Sequence, residues 1–360
     1  MKVLNSQQQM TPDSIESGYF VFTLMPSLFC ELNCPHCYLS KQQRADTTIL
    51  SLEKLRIACE KVDAYYRERG VRNKKVIFYW YGGEPTSMGV EYFTEAARMM
   101  NDIFSADKGY ETKHTVLTSL VAVDMDAWLP IFKEFGHGEF QSSYDGLMRG
   151  KGYMRKWEQN IRRAVSEGFR VSTISVINHS ILIDGPVRTI DYLADLGVAE
   201  TSWLPFMLND QNNGTGAYEK FAPRMSDYSQ YMIEMSERWF ERKAAGQHVP
   251  EIGQMRFIDF QSRQRAVANI AGQTLFLMPN GDFVLPDYKN GWHEFMRPFG
   301  NILEQSFEEV LHSDARRAYL RRQILRNGNS ECASCEYSGS CIMEFWKSNR
   351  ENDDCFGASR

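Results

Sequence analysis

Seven of the eight cysteines in this 360-residue chain fall into two groups, and the grouping points to bound metal. Cys30, Cys34 and Cys37 stand together in CELNCPHCYLS, and Cys332, Cys335, Cys341 and Cys355 lie near the C-terminus. Cys59 stands alone between them. In a reducing cytosol such cysteines do not pair as disulfides, so metal ligation or catalysis explains them better. Three thiolates can bind three irons of a cubane 4Fe–4S cluster and leave the fourth iron open to a substrate or cofactor. The competing reading of the first group is zinc, for which His36 would have to supply the fourth ligand. The second group, C-x2-C-x5-C followed fourteen residues later by Cys355, offers four soft ligands that suit zinc and an iron–sulfur cluster equally on spacing alone.

These ligands need a frame that presents them. Short β-rich runs at 19–25, 75–81, 113–119, 138–143, 169–177 and 200–207 alternate with longer amphipathic stretches. Leu52, Leu55, Cys59, Val62 and Tyr66 step by three and four behind Ser51, an N-cap residue type, which predicts a helix. Further helices are expected near 90–104, 124–135, 154–168 and 186–197. Six βα repeats with near-continuous apolar strands imply a parallel sheet with helices outside it. The expected fold is therefore α/β, a partial (β/α)6 TIM-like barrel, whose active site would sit at the C-terminal ends of the strands. Cys30, Cys34 and Cys37 follow the first strand, and Tyr81-Gly82-Gly83-Glu84-Pro85 ends the second. On the helix that carries it, Cys59 shares the apolar stripe, which marks it as a core residue. Beyond the sixth strand, 209–220 reads as a polar loop, 225–245 as a long helix and 274–286 as a hairpin turning at Asn280-Gly281. Charged helical sequence at 306–326 then leads to the last four cysteines.

Composition narrows the function. A net charge of −5 offers no broad attraction for nucleic acid or anionic membrane. No apolar run is long enough to cross a bilayer, and the polar first residues lack the core of a secretory signal, so a cytoplasmic protein is expected.

With the C-x3-C-x2-C triad after the first strand and Gly-Gly-Glu-Pro after the second, the chain resembles the radical S-adenosylmethionine (SAM) superfamily. The resemblance implies that Cys30, Cys34 and Cys37 hold a SAM-binding 4Fe–4S cluster and that Gly82, Gly83, Glu84 and Pro85 grip the methionine amino group. Glycines expose backbone polar groups, and a carboxylate can pair with an ammonium. Ser143-Tyr144-Asp145-Gly146 is similar to an S-x-D-G element of peptide-modifying members, which implies a contact of Ser143 with the ribose or carboxylate of SAM. Thr118-Ser119 stands where that group usually has Thr-Asn, and His36 matches a position that packs on the adenine. The C-terminal cysteines resemble a SPASM domain, which implies a small α+β iron–sulfur domain. Cys332, Cys335, Cys341 and Cys355 match its outer auxiliary cluster. Pro286, five residues after Gly281, and Phe345 stand where inner-cluster cysteines would be. The resemblance thus implies two 4Fe–4S clusters, the auxiliary one fully ligated by cysteine and without an open iron.

The implied domains are an N-terminal extension (1–18), the core barrel (19–215), a helical linker (216–272) and a SPASM/twitch-like auxiliary-cluster domain (273–360). The implied chemistry is reductive cleavage of SAM to a 5′-deoxyadenosyl radical that takes a hydrogen atom from a C–H bond. A flavodoxin- or ferredoxin-type protein would be the reductant. Relatives of this kind modify precursor peptides or protein side chains by crosslinking, epimerisation or oxidation. About 18 residues precede the first strand, fewer than a leader-peptide recognition domain would need. A small-molecule substrate such as a sugar, aminocyclitol or nucleoside is the alternative, and a non-enzymatic zinc or iron–sulfur protein a remoter one.

Overall fold

A computed structural model describes residues 13–206, 212, 214–255, 270–286 and 296–325. Its centre is one ten-stranded sheet. Six strands, β1 (Tyr19–Leu24), β2 (Lys74–Trp80), β3 (Tyr110–Thr118), β4 (Glu139–Ser143), β5 (Arg170–Ile177) and β6 (Glu200–Pro205), lie side by side in chain order. All neighbouring pairs among them are parallel, with registers such as Phe22↔Phe78 and Thr173↔Thr201. The short strand β7 (Glu251–Ile252) continues beyond β6. On the other side β8 (Thr274–Leu277) pairs parallel with β1, and β9 (Asp282–Val284) and β10 (Gly300–Asn301) follow antiparallel. The two ends of this order do not meet, so the barrel is partial.

Alternation along the strands separates two faces. Phe20, Phe22, Leu24, Val76, Phe78 and Trp80 are fully buried. They pack toward the helices, as the Trp80–Phe93 ring contact of 4.3 Å onto α3 (Val90–Ile103) shows. On the opposite face Tyr79 of β2 hydrogen-bonds to Gln141 of β4. That contact reaches over β3, which requires the face to be concave. Helix α2 (Leu52–Glu68) begins as expected, with Ser51 accepting from the Lys54 N–H at 3.2 Å, and it buries Cys59 completely.

The long helix α5 (Met225–Ala244) packs along α4 (Pro186–Asp195), where Arg238 and Arg242 both pair with Asp191. The hairpin forms where the Asn280-Gly281 pair predicts it, with Gly281 at φ +93°. Its first strand pairs with β1 and so extends the barrel sheet. The four C-terminal cysteines lie outside the described residues.

Candidate active site

Three loops at the C-terminal ends of β1, β2 and β3 meet in one cleft, together with the end of β4. The first is the cysteine loop. Cys30, Cys34 and Cys37 are half-buried free thiols, held by hydrogen bonds from the Cys30 N–H to the Arg44 carbonyl at 3.0 Å and from the Cys37 N–H to the Cys34 carbonyl at 3.1 Å. The short helix α1 (Lys41–Ala45) follows, closed by a capping box in which Ser40 and Gln43 satisfy each other's backbone. Burial raises the Cys30 thiol, and it raises Cys34 and Cys37 to about 11, so without metal all three are protonated.

The second loop lies against the first almost without a gap. A Cβ on Gly83 would stand 2.1 Å from the Phe29 carbonyl oxygen, and one on Gly82, at φ +117°, would stand 2.5 Å from that of Ser27. Only glycine lets these backbones touch, and the Gly83 and Glu84 N–H groups donate to Ser27 and Phe29 across the contact. Glu84 is buried. Its Oε1 accepts from the Thr86 N–H and hydroxyl, and its Oε2 accepts from the Ser119 N–H at 2.9 Å. The carboxylate therefore ties the β2 loop to the end of β3 while facing the cleft. Pro85 opens the turn that follows and is buried rather than part of the lining.

The third loop is strained. Leu120 sits at φ +61°, held by a hydrogen bond from its N–H to Thr118 Oγ1 and by Asn160 on its carbonyl. This turn directs the Ser119 N–H at Glu84 and leaves Ser119 Oγ buried without a partner among the described residues. From β4 and the turn after it come Ser143, Asp145 and Arg149. Asp145 accepts from the Val176 N–H at 3.0 Å and forms a buried ion pair with Arg149, and His36 Nε2 is 3.7 Å away. Burial alone would raise the Asp145 carboxyl, but Arg149, His36 and the Val176 N–H together hold it below the usual carboxylate range. Burial lowers His36 to about 4, so its ring is neutral at physiological pH, and its edge faces Phe206 at 6.3 Å.

The cleft thus gathers Cys30, Cys34, Cys37, His36, Gly82, Gly83, Glu84, Thr118, Ser119 and Ser143, residues that the sequence singles out. It also holds Arg149, Tyr38 and Tyr81, which sequence reasoning missed. Arg149 follows the Ser-Tyr-Asp-Gly element by three residues, and its spacing of four from Asp145 across a turn was the available signal.

The donor set can be tested against the groups expected there. Among the described residues no three His, Cys, Asp or Glu side chains converge as one metal ion requires. Zinc needs all its sulfurs about 2.3 Å from one point. A cubane 4Fe–4S cluster gives each cysteine its own iron, so its thiols stand around the cluster rather than at one point, and all three cysteines line this cleft. His36 Nδ1, Ser119 Oγ and Arg149 Nε are buried polar atoms without a hydrogen-bond partner among the described residues, as expected where a polar ligand belongs.

Comparison with known proteins agrees with this geometry. Residues 24–193 match the radical SAM superfamily, and residues 269–336 match SPASM, an iron–sulfur cluster-binding domain. The chain carries a radical SAM domain followed by a SPASM domain. The serine-type anaerobic sulfatase-maturating enzyme of Klebsiella aerogenes is 21% identical over 329 residues, covering 87% of this chain and 76% of that protein. Among solved structures, anSMEcpe with bound AdoMet and the Cp18Cys peptide superposes with a TM-score of 0.66 at 15% identity, over 89% of this chain and 87% of that one. SuiB of Streptococcus suis bound to precursor peptide SuiA superposes with a TM-score of 0.59 at 14% identity, over 90% and 71%. The chain therefore shares its fold with these two structures. No helix among the described residues is long and apolar enough to cross a membrane.

Proposed function

We propose that this enzyme cleaves SAM reductively in the cleft and abstracts a hydrogen atom from a C–H bond of a peptide or protein substrate. The observation that carries the reading is the cleft itself, where three free thiols, a glycine-only backbone contact and unpartnered buried polar atoms meet at the strand ends. A reduced 4Fe–4S cluster, when bound, supplies the electron whose transfer into SAM gives methionine and the 5′-deoxyadenosyl radical.

The chain's own part is to hold and orient. Cys30, Cys34 and Cys37 are the cluster ligands. Gly82, Gly83 and the Glu84 carboxylate take the methionine ammonium, and Arg149, paired with Asp145, offers its Nε–H, which has no partner among the described residues, to the methionine carboxylate. Ser143, Thr118 and Ser119 make the remaining polar contacts, and neutral His36 lies against the adenine. Cys332, Cys335, Cys341 and Cys355 hold a second, fully ligated 4Fe–4S cluster for electron relay or support, in a C-terminal domain (273–360) joined by the linker 216–272 to the core barrel (19–215). A flavodoxin- or ferredoxin-type protein delivers the electron in the cytoplasm. Support for a peptide or protein substrate comes from the similarity to a sulfatase-maturating enzyme and from the fold shared with SuiB, whose structure holds its precursor peptide.

Anaerobic reconstitution tests this. The wild-type chain is expected to take up about eight irons, as two 4Fe–4S clusters. The Cys30→Ala/Cys34→Ala/Cys37→Ala variant should keep about half of them and lose SAM cleavage. Cleavage by that variant with dithionite would refute the assignment.

A further inference from the structure

One cation beside the cysteine loop has no part in the reading above. Arg44 lies on α1, seven residues after Cys37. Its Nη1 donates both to the Leu32 carbonyl at 2.9 Å and to Asn33 Oδ1 at 3.0 Å, so it grips the stretch between Cys30 and Cys34. Its own carbonyl accepts the Cys30 N–H, so the contact works in both directions. Its Nε is buried and has no partner among the described residues. Arg149, the arginine that lines the cleft, is neutralised by Asp145. Arg44 pairs with no carboxylate among the described residues, and both its Nη1 acceptors are neutral. Its positive charge acts on all three thiols, offsetting part of the effect of burial on each.

A 4Fe–4S cluster on three thiolates is anionic and gains a further negative charge on reduction. A fixed cation nearby therefore stabilises the reduced form more than the oxidised form. We propose that Arg44 is a positioning residue for this cluster, fixing the cysteine loop through Leu32 and Asn33 and keeping an uncompensated positive charge there that raises the reduction potential. The inference rests on the assignment of the cluster to Cys30, Cys34 and Cys37. Its orphaned Nε–H is a donor that an anionic cluster would satisfy.

The test is an electrochemical titration of the reconstituted full chain, followed by electron paramagnetic resonance. The relevant signal is the one absent from the triple cysteine variant. For Arg44→Gln the ratio of reduced to oxidised cluster at a given poise is expected to fall about tenfold, which is 59 mV for a one-electron couple. Arg44→Lys should stay within about threefold of wild type, because it restores the charge. Asn33→Asp keeps the acceptor but cancels the charge, so it should also lower the ratio; it decides the matter alone if Arg44→Gln does not hold iron. A signal lost in the triple variant but unmoved by Arg44→Gln and Asn33→Asp overturns the role of Arg44 and leaves the cluster assignment standing. Equal falls in Arg44→Gln and Arg44→Lys overturn it too, because charge would not be the cause. A signal that persists in the triple variant overturns the assignment of the triad and this proposal with it.

Discussion

Asp145→Asn isolates the electrostatic support of the cleft. The substitution keeps the shape and the oxygen that accepts the Val176 N–H, but removes the charge opposite Arg149. Side-chain exposures of 1% for Asp145 and 7% for Arg149 mean that water cannot replace the lost partner. Leaving one member of such a pair buried and alone costs on the order of 3 kcal/mol. With an unfolding entropy of about 2.1 cal/mol/K per residue, that loss lowers the melting temperature of a 360-residue chain by about 4 °C. The assay is a thermal melt and urea titration of wild type, Asp145→Asn, Arg149→Met and the double variant at matched iron content. The double variant should be less destabilised than the two single losses added together, because no uncompensated charge remains. Additivity within about 0.5 kcal/mol would refute the pairing argument. The pH dependence has a fixed sign: a carboxyl held below its usual range stabilises the fold above about pH 4, and that contribution is lost as the pH falls through the lowered pKa.

Gly83→Ala should abolish loading of the N-terminal cluster while the helices stay folded, because its Cβ would overlap the Phe29 carbonyl; iron content and circular dichroism decide it. Glu84→Gln turns one acceptor into a donor facing an N–H or hydroxyl, which costs about 1.5–3 kcal/mol in SAM binding and stability together. Calorimetry showing an unchanged SAM dissociation constant would confine Glu84 to its structural bonds. Buried His114 accepts from the Trp80 indole at 3.0 Å, and burial lowers it to about 3, so it stays neutral in the fold while the unfolded chain protonates near pH 6.5. Stability should therefore fall as the pH drops from about 6.5 toward 3, by up to about 1.4 kcal/mol per pH unit from this residue, and His114→Gln should flatten that slope in urea titrations.

The barrel was legible in the sequence because its signals are local. The first two strands, YFVFTL and KKVIFYW, are strongly apolar runs, and caps such as Ser51 mark where helices begin. Glycine pairs at strand ends, as at Gly82-Gly83, mark close backbone approach. The pairing of β8 with β1 was not legible, since it joins residues some 250 positions apart and no local pattern names a strand's neighbour. The strained turn at Leu120 was equally hidden: leucine is a poor choice for positive φ, and only the tertiary bonds to Thr118 and Asn160 explain it. Arg149 was missed for a related reason. In sequence it is one of many arginines, and burial beside Asp145 is what sets it apart.

The late strand pairing bears on how the two domains cooperate. β1 ends at Leu24, six residues before Cys30, so the strand that carries the cysteine loop has β2 on one side and β8 on the other. One side-chain and one backbone bond reinforce the second pairing: Thr274 Oγ1 donates to the Val21 carbonyl at 2.8 Å, and the Met25 N–H donates to the Leu277 carbonyl at 2.9 Å. Farther out, the Lys61 ammonium on α2 reaches the carbonyls of Ile302 and Gln305 at 2.6 and 2.7 Å, and buried Arg316 donates to the Ala271 carbonyl and pairs with Asp13. Without β8, the backbone of β1 would be an open edge beside fully buried Phe20, Phe22 and Leu24, a surface prone to pairing with other chains. The region matched by SPASM, which begins at residue 269, therefore completes the sheet that positions the cysteine loop as well as carrying its own cysteines. A rigid β1, fixed on both edges, and the contacts from Gly83, Glu84 and Asp145 are what let three thiols on a loop keep their spacing.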